Sequence, residues 1–112
     1  MPSPLDDLGR FADPSLLILA SLSDGPKHGY AMMQDIQEFS GTALEPGTLY
    51  GAITRLEKRG WIRAIPSRDR RRPYQITSEG LAALGERLNS IKRVVDIGLQ
   101  RLKPEPGAGR VP

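Results

Sequence analysis

Cysteine is missing from all 112 residues. Its absence excludes a disulfide framework and any thiolate metal or redox site, and it fits a reducing, cytoplasmic setting. Histidine occurs once, as His28, so a set of imidazole ligands cannot form, and neither a metal nor another cofactor is expected. Long apolar runs are missing too. The longest aliphatic stretch is "LLILA", Leu16 to Ala20, far too short to span a bilayer, so no membrane partner is expected. The opening "MPSPLDDLGRF" has neither the basic start nor the apolar segment of a signal peptide. No nucleophile–base pair stands out, and Gly41, Gly47 and Gly51 are not spaced as a phosphate-cradling loop, so an enzyme is not expected.

What is present is an uneven distribution of charge. Eight of the sixteen basic residues lie between Thr54 and Arg72, opposed only by Glu57 and Asp69. That window carries +6 and leaves −3 for the remainder. A basic lobe on an acidic body is the electrostatic footprint of a protein that meets a polyanion. The length suits a single domain, but so short a chain leaves much apolar surface uncovered.

The pattern along the chain predicts mostly helix. Asp13 and Pro14 start a first helix through "LLILASL", which Asp24-Gly25-Pro26 stops. It is apolar nearly all round, so it should be buried on several sides. "HGYAMMQDIQEFSG" predicts a second helix with Met32, Met33, Ile36 and Phe39 as its apolar stripe. A third, "GTLYGAITRLEKRG", buries Leu49, Ile53 and Leu56 and turns Gly47, Gly51, Thr54 and Lys58 outward, flanked by Thr48 and Arg55. "WIRAI" and "RPYQIT" then read as a two-stranded hairpin with an arginine-rich tip. Thr77 caps a long fourth helix. Its apolar seam is Leu81, Leu84, Leu88, Ile91, Val95, Gly98 and Leu102, close to a coiled-coil period. Three turns of this seam extend past anything so small a body could cover, so a partner helix is expected, in a homodimer.

The expected fold class is therefore mainly α with a small β-hairpin: a winged helix-turn-helix followed by a long C-terminal dimerisation helix. Residues 1–12 would form an N-terminal arm, 13–77 the winged helix-turn-helix, 78–103 the dimerisation helix and 104–112 a disordered tail. In such a layout the third helix enters the major groove by its N-terminal end. The hairpin tip, Arg68, Arg70, Arg71 and Arg72, lies along the backbone or in the minor groove. Phosphate contacts then supply most of the affinity.

Three segments carry a resemblance. "ILASLSDGPKHGYAMMQDI", "PGTLYGAITRLEKRGWI" and "RRRPYQITSEGLAAL" are together similar to the PadR family of bacterial transcriptional regulators. The short chain with one C-terminal helix resembles the small PadR subfamily, whose first and last helices build the dimer. That resemblance implies a dimeric repressor of operator DNA, with Leu16 and Leu19 joining the seam at the interface. It also implies release by a small apolar effector bound between the subunits. Helix 81–102 contains no aromatic, and Phe11 is the only one near the first helix. An aliphatic-lined cavity, or none, is therefore as well supported as a stacking site. The family often has proline where Gly51 stands and an aliphatic where Trp61 stands; Trp61 reads as core.

By the same analogy His28 opens the second helix near the DNA backbone. Its ring could donate to a phosphate or make a local helix-start hydrogen bond. Tyr30 reads as core-facing with its hydroxyl outward, in reach of phosphate. Tyr50 flanks the third helix, for phosphate or for packing. Arg59 and Arg63 read as general field and surface pairing. The rival reading is a winged-helix module that docks an acidic protein partner in an assembly.

Overall fold

The computed structural model describes residues 13–68 and 70–103. The expectations placed on residues 1–12, Phe11 among them, on Asp69 and on 104–112 lie outside it. The order of elements is α1 (Pro14–Leu22), β1 (Lys27–His28), α2 (Gly29–Ser40), α3 (Pro46–Lys58), β2 (Ile62–Ala64), β3 (Pro73–Ile76) and α4 (Ser78–Leu102). The architecture is mainly helical with a small antiparallel sheet, and a long helix closes it.

Local chemistry sets the helix ends. The Asp13 carboxylate accepts from the Leu16 N–H at 3.0 Å and caps α1. Thr77 Oγ1 accepts from the Gly80 N–H at 3.1 Å and caps α4. Gly41, with φ of 73°, ends α2 in the left-handed conformation that glycine adopts most easily.

α1 is the centre of the molecule. Leu17, Ile18, Leu19 and Leu22 are buried, and the helix packs against α2, α3, α4 and β3. Met32 and Ile36 from α2, Leu49, Ala52, Ile53 and Leu56 from α3, Ile62, Tyr74 and Leu84 complete the core. The buried Ser21 hydroxyl donates to Asp35 Oδ2 at 2.7 Å, joining α1 to α2. Lys27 Nζ donates to the Ser21 carbonyl and to Asp24. That bond to Lys27 holds the Asp24 carboxyl below its ordinary pKa.

Three expectations need correction. The sheet has three strands, in the order β1-β3-β2, not two. Lys27 pairs with Tyr74 and His28 with Pro73 on one side of β3. Ile62, Arg63 and Ala64 pair with Ile76, Gln75 and Tyr74 on the other. β1 is two polar residues with no alternation to reveal it; its existence depends on a partner much later in the chain. Phe39, expected in the apolar stripe of α2, is 50% exposed, because it lies on the last turn, at the end of the helix. Tyr30, read as core-facing, is 59% exposed. It stands roughly 200° round the helix from Met32.

In α4 only Gly80 and Leu84 are buried. The helix is 25 residues long, about 38 Å. Leu81, Leu88, Val94, Val95, Ile97, Leu99 and Leu102 expose between 45% and 77% of their surface. Leu19 and Leu84, by contrast, are covered within the chain itself. No described helix is long and apolar enough to cross a membrane.

Two glycines stand in opposite situations. A Cβ at Gly80 would overlap the backbone carbonyl of Trp61, whereas one at Gly51 would meet only Arg55 Nη1, at 3.7 Å. Gly80→Ala is expected to destabilise the fold by about 2 kcal/mol through overpacking. Gly51→Ala is expected to stabilise it by about 1 kcal/mol through helix propensity. Urea denaturation should therefore move the two midpoints in opposite directions.

Candidate nucleic-acid interface

α3 presents two unlike faces because its apolar residues repeat at helical spacing. Leu49, Ala52, Ile53 and Leu56 are buried. Gly47, Thr48, Thr54, Arg55 and Lys58 are exposed, and Gly51 is half-buried. Apart from its chain neighbours and its own helix backbone, no described atom lies within 4 Å of the Cβ position at Gly47. The first turns of the outer face are therefore low and open, and the cations Arg55 and Lys58 follow further along. Thr54 Oγ1 donates to the Tyr50 carbonyl at 3.0 Å, which leaves its oxygen free to accept.

Beside this face lies a hollow of about 300 Å³. It is lined by the start of α2 (His28, Gly29, Tyr30), by Tyr50 of α3, by Arg70, Arg71 and Arg72 of the wing, and by Tyr74 of β3. It thus gathers the only histidine, all three tyrosines and three wing arginines of the chain. Among the described residues no carboxylate lines it. A hollow of hydroxyl, imidazole and guanidinium donors at a helix N-terminus suits an anion.

Each side chain has a reason for its place. His28 Nδ1 accepts from the Ala31 N–H at 3.3 Å and caps α2. In the neutral ring the proton then sits on Nε2. The expected local helix-start hydrogen bond is therefore present, and it leaves the other nitrogen as a donor. The Tyr50 phenol rests against Gly29, where any Cβ would overlap it. Tyr50 itself remains 48% exposed. Tyr30 Oη accepts from Gln34 Nε2 at 3.3 Å, across one turn of α2. Burial raises the Tyr74 phenol above its ordinary pKa, and the Glu57 carboxylate adds to the rise while Arg72 opposes it.

The structure gathers His28, Tyr30, Tyr50, Arg70, Arg71 and Arg72 in the hollow. It places Gly47, Thr48, Gly51, Thr54, Arg55 and Lys58 on the α3 face. Arg68 is exposed on the wing but does not line the hollow. Arg59 and Arg63 are engaged locally. Arg59 lies over the Trp61 ring at 5.1 Å, and Arg63 Nη2 donates to Gln75 Oε1 at 3.2 Å. Sequence reasoning missed Gly29 and Tyr74 as members of the hollow. A glycine in the first turn of a helix, directly after its cap, was the available signal for the former. The alternation that put Tyr74 in the strand gave no hint that it lines the hollow together with Arg72.

The family profile described as "Transcriptional regulator PadR-like family" matches residues 18–86. Among solved structures, a PadR family transcription regulator from Clostridium difficile R20291 is 25% identical. The match covers 80% of this chain and 98% of that one, with a TM-score of 0.72. A PadR family transcriptional regulator from Eggerthella lenta is 30% identical, covering 79% of each chain, with a TM-score of 0.64. An uncharacterized 37.1 kDa protein in transposon TN4556 of Streptomyces fradiae is 40% identical over 85 residues. That match takes in 76% of this chain but only 25% of the relative, so the chain spans about a quarter of that protein's length.

Proposed function

The chain belongs to the PadR-like family of transcriptional regulators, a family of DNA-binding proteins and not of enzymes, and on that premise we propose that it is a dimeric repressor released from its operator by a small apolar effector. The observation that carries the DNA-facing half of this reading is the convergence of α2, Tyr50 and the wing on one anion-suited hollow beside the open face of α3. In this reading α3 enters the major groove. Gly47 and Gly51 let its backbone approach the bases, and Thr48 and Thr54 read base edges. His28, Tyr30, Tyr50, Arg55, Lys58 and the wing residues Arg68, Arg70, Arg71 and Arg72 hold phosphates. Such contacts set register and affinity, and the smaller groups set sequence preference.

Dimerisation follows from α4. Its apolar residues Leu81, Leu88, Val95 and Leu102 lie along one stripe and are exposed in the single chain. Fully burying one such side chain contributes about 1.5–3 kcal/mol. A second copy related by a two-fold axis would cover each stripe with the other. In this reading Ile91, Gly98 and Leu16, of which Ile91 and Leu16 are half-buried and Gly98 exposed, join the interface, while Leu19 and Leu84 are already buried within the chain. An effector at this interface would change the spacing of the two α3 helices and so the fit to two half-sites. A regulator of this kind works in the cytoplasm, where the operator is.

Gel shifts on the promoter beside its own gene test the contacts. Arg70→Ala with Arg71→Ala should weaken binding to every sequence. The salt slope should also become shallower by up to about one for each lost phosphate contact. An unchanged slope would remove the wing from the interface. Leu88→Glu tests the assembly by sedimentation equilibrium. It should yield monomers that bind the operator weakly, and a monomer that still binds tightly contradicts the dimer.

A further inference from the structure

Glycine at position 29 is not required by the backbone. Among the described glycines a positive φ is confined to Gly25, Gly41 and Gly60, so Gly29 has a conformation that any residue adopts. It is the first residue of α2, where alanine is the better helix former. Neither strain nor helix stability accounts for the missing side chain.

The space beside it does. Apart from chain neighbours and the helix's own backbone, the three atoms nearest to a Cβ at Gly29 all belong to the Tyr50 phenol. The Cβ would overlap the hydroxyl oxygen and stand 2.8 Å from Cζ and 3.1 Å from Cε1. We propose that Gly29 is a positioning residue for DNA binding: it seats the Tyr50 phenol against the start of α2 and holds the hydroxyl in place for a phosphate before DNA arrives. The proposal rests on the reading above that Tyr50 contacts the DNA backbone, and it names the residue that makes that contact possible.

Geometry separates this role from the other use of an interface glycine, which is to let DNA come close. Gly47 and Gly51 suit close approach, because a Cβ at Gly47 meets nothing within 4 Å and one at Gly51 meets only Arg55 Nη1. Gly29 is buried, and its missing side chain points at another part of the protein. An added methyl there meets Tyr50 and not a ligand. It also differs from Gly80, where the obstacle is a backbone carbonyl that has nowhere to go. The Tyr50 phenol is the far end of a flexible side chain, and Tyr50 is half exposed. Gly29→Ala therefore leaves the fold standing and displaces the ring.

What displacement removes is placement. In its seat the phenol shares the hollow with His28, Arg70, Arg71 and Arg72. The first N–H groups of α2 have no partner within the helix, and His28 Nδ1 takes that of Ala31. A phenol already held among these donors joins them without a side chain having to be ordered on binding, and such ordering lowers affinity.

The test is binding of the full chain to a duplex fragment of the promoter beside its own gene, followed by fluorescence anisotropy. Gly29→Ala and Tyr50→Phe should each weaken binding roughly tenfold, the size of one hydrogen bond to a charged group. The double variant should bind no more weakly than Tyr50→Phe alone, because Gly29 acts through that hydroxyl. Losses that multiply to roughly a hundredfold mark two independent contacts. They overturn the proposal while leaving Tyr50 on the DNA, and so does a Gly29→Ala variant that binds like the native chain beside a weakened Tyr50→Phe. Tyr50→Phe that binds as tightly as the native chain removes Tyr50 from the contacts, and the proposal falls with that part of the reading. Urea denaturation separates the seat from a need of the helix itself. With Tyr50→Ala emptying the space, Gly29→Ala should raise the midpoint through helix propensity. A lowered midpoint there assigns the glycine to the α2 backbone and overturns the proposal.

Discussion

The carbonyls of Gly60 and Trp61 meet the turn that starts α4, and most of the molecule's geometry depends on that meeting. Thr77 serves both sides of it. Its N–H donates to Trp61 and its hydroxyl to Gly60, while the same oxygen caps the helix by accepting from Gly80. Gly80 must lack a side chain for the two backbones to come so close. The result is a fixed angle between α3, the wing and α4. In the proposed reading, those are the element that meets DNA, the element beside it and the long helix that leaves the domain.

The second organising feature is the sparing use of side chains around α3. Helix propensity alone would replace Gly51, since among the described residues a Cβ there would meet only Arg55 Nη1, at ordinary contact distance. An open position retained at a thermodynamic cost is what a helix needs if its backbone is to approach a partner closely. Gly29 is different. Its missing side chain is occupied by the Tyr50 phenol, which links α3 to the start of α2. The wing arginines complete that neighbourhood, and the acidic body leaves the positive charge concentrated there.

The helices were legible because caps, breakers and apolar spacing all agree along this chain. Asp13, Gly41 and Thr77 mark their ends by local chemistry alone. β1 was not legible, because two polar residues become a strand only when β3 lies beside them. Phe39 misled for a related reason. Periodicity gives the direction of a side chain but not whether a neighbouring element reaches that far along the helix. The outward face of α3 could be read from the wheel, whereas the hollow could not. His28, Tyr50 and Tyr74 are distant in sequence and meet only through the packing of α2, α3 and β3. Trp61 was read correctly as packing on the core, but its exposure to the space between α1 and α4 needed the fold.

The central claim is that one surface, made by the start of α2, the outer face of α3 and the wing, meets DNA. Amide hydrogen exchange with and without a promoter fragment tests it most directly. The account predicts slowed exchange at Gly29–Ala31, along α3 and at Arg70–Arg72 when DNA is bound. Slowing confined to the Gln34–Glu38 side of α2, with α3 and the wing unchanged, would contradict it.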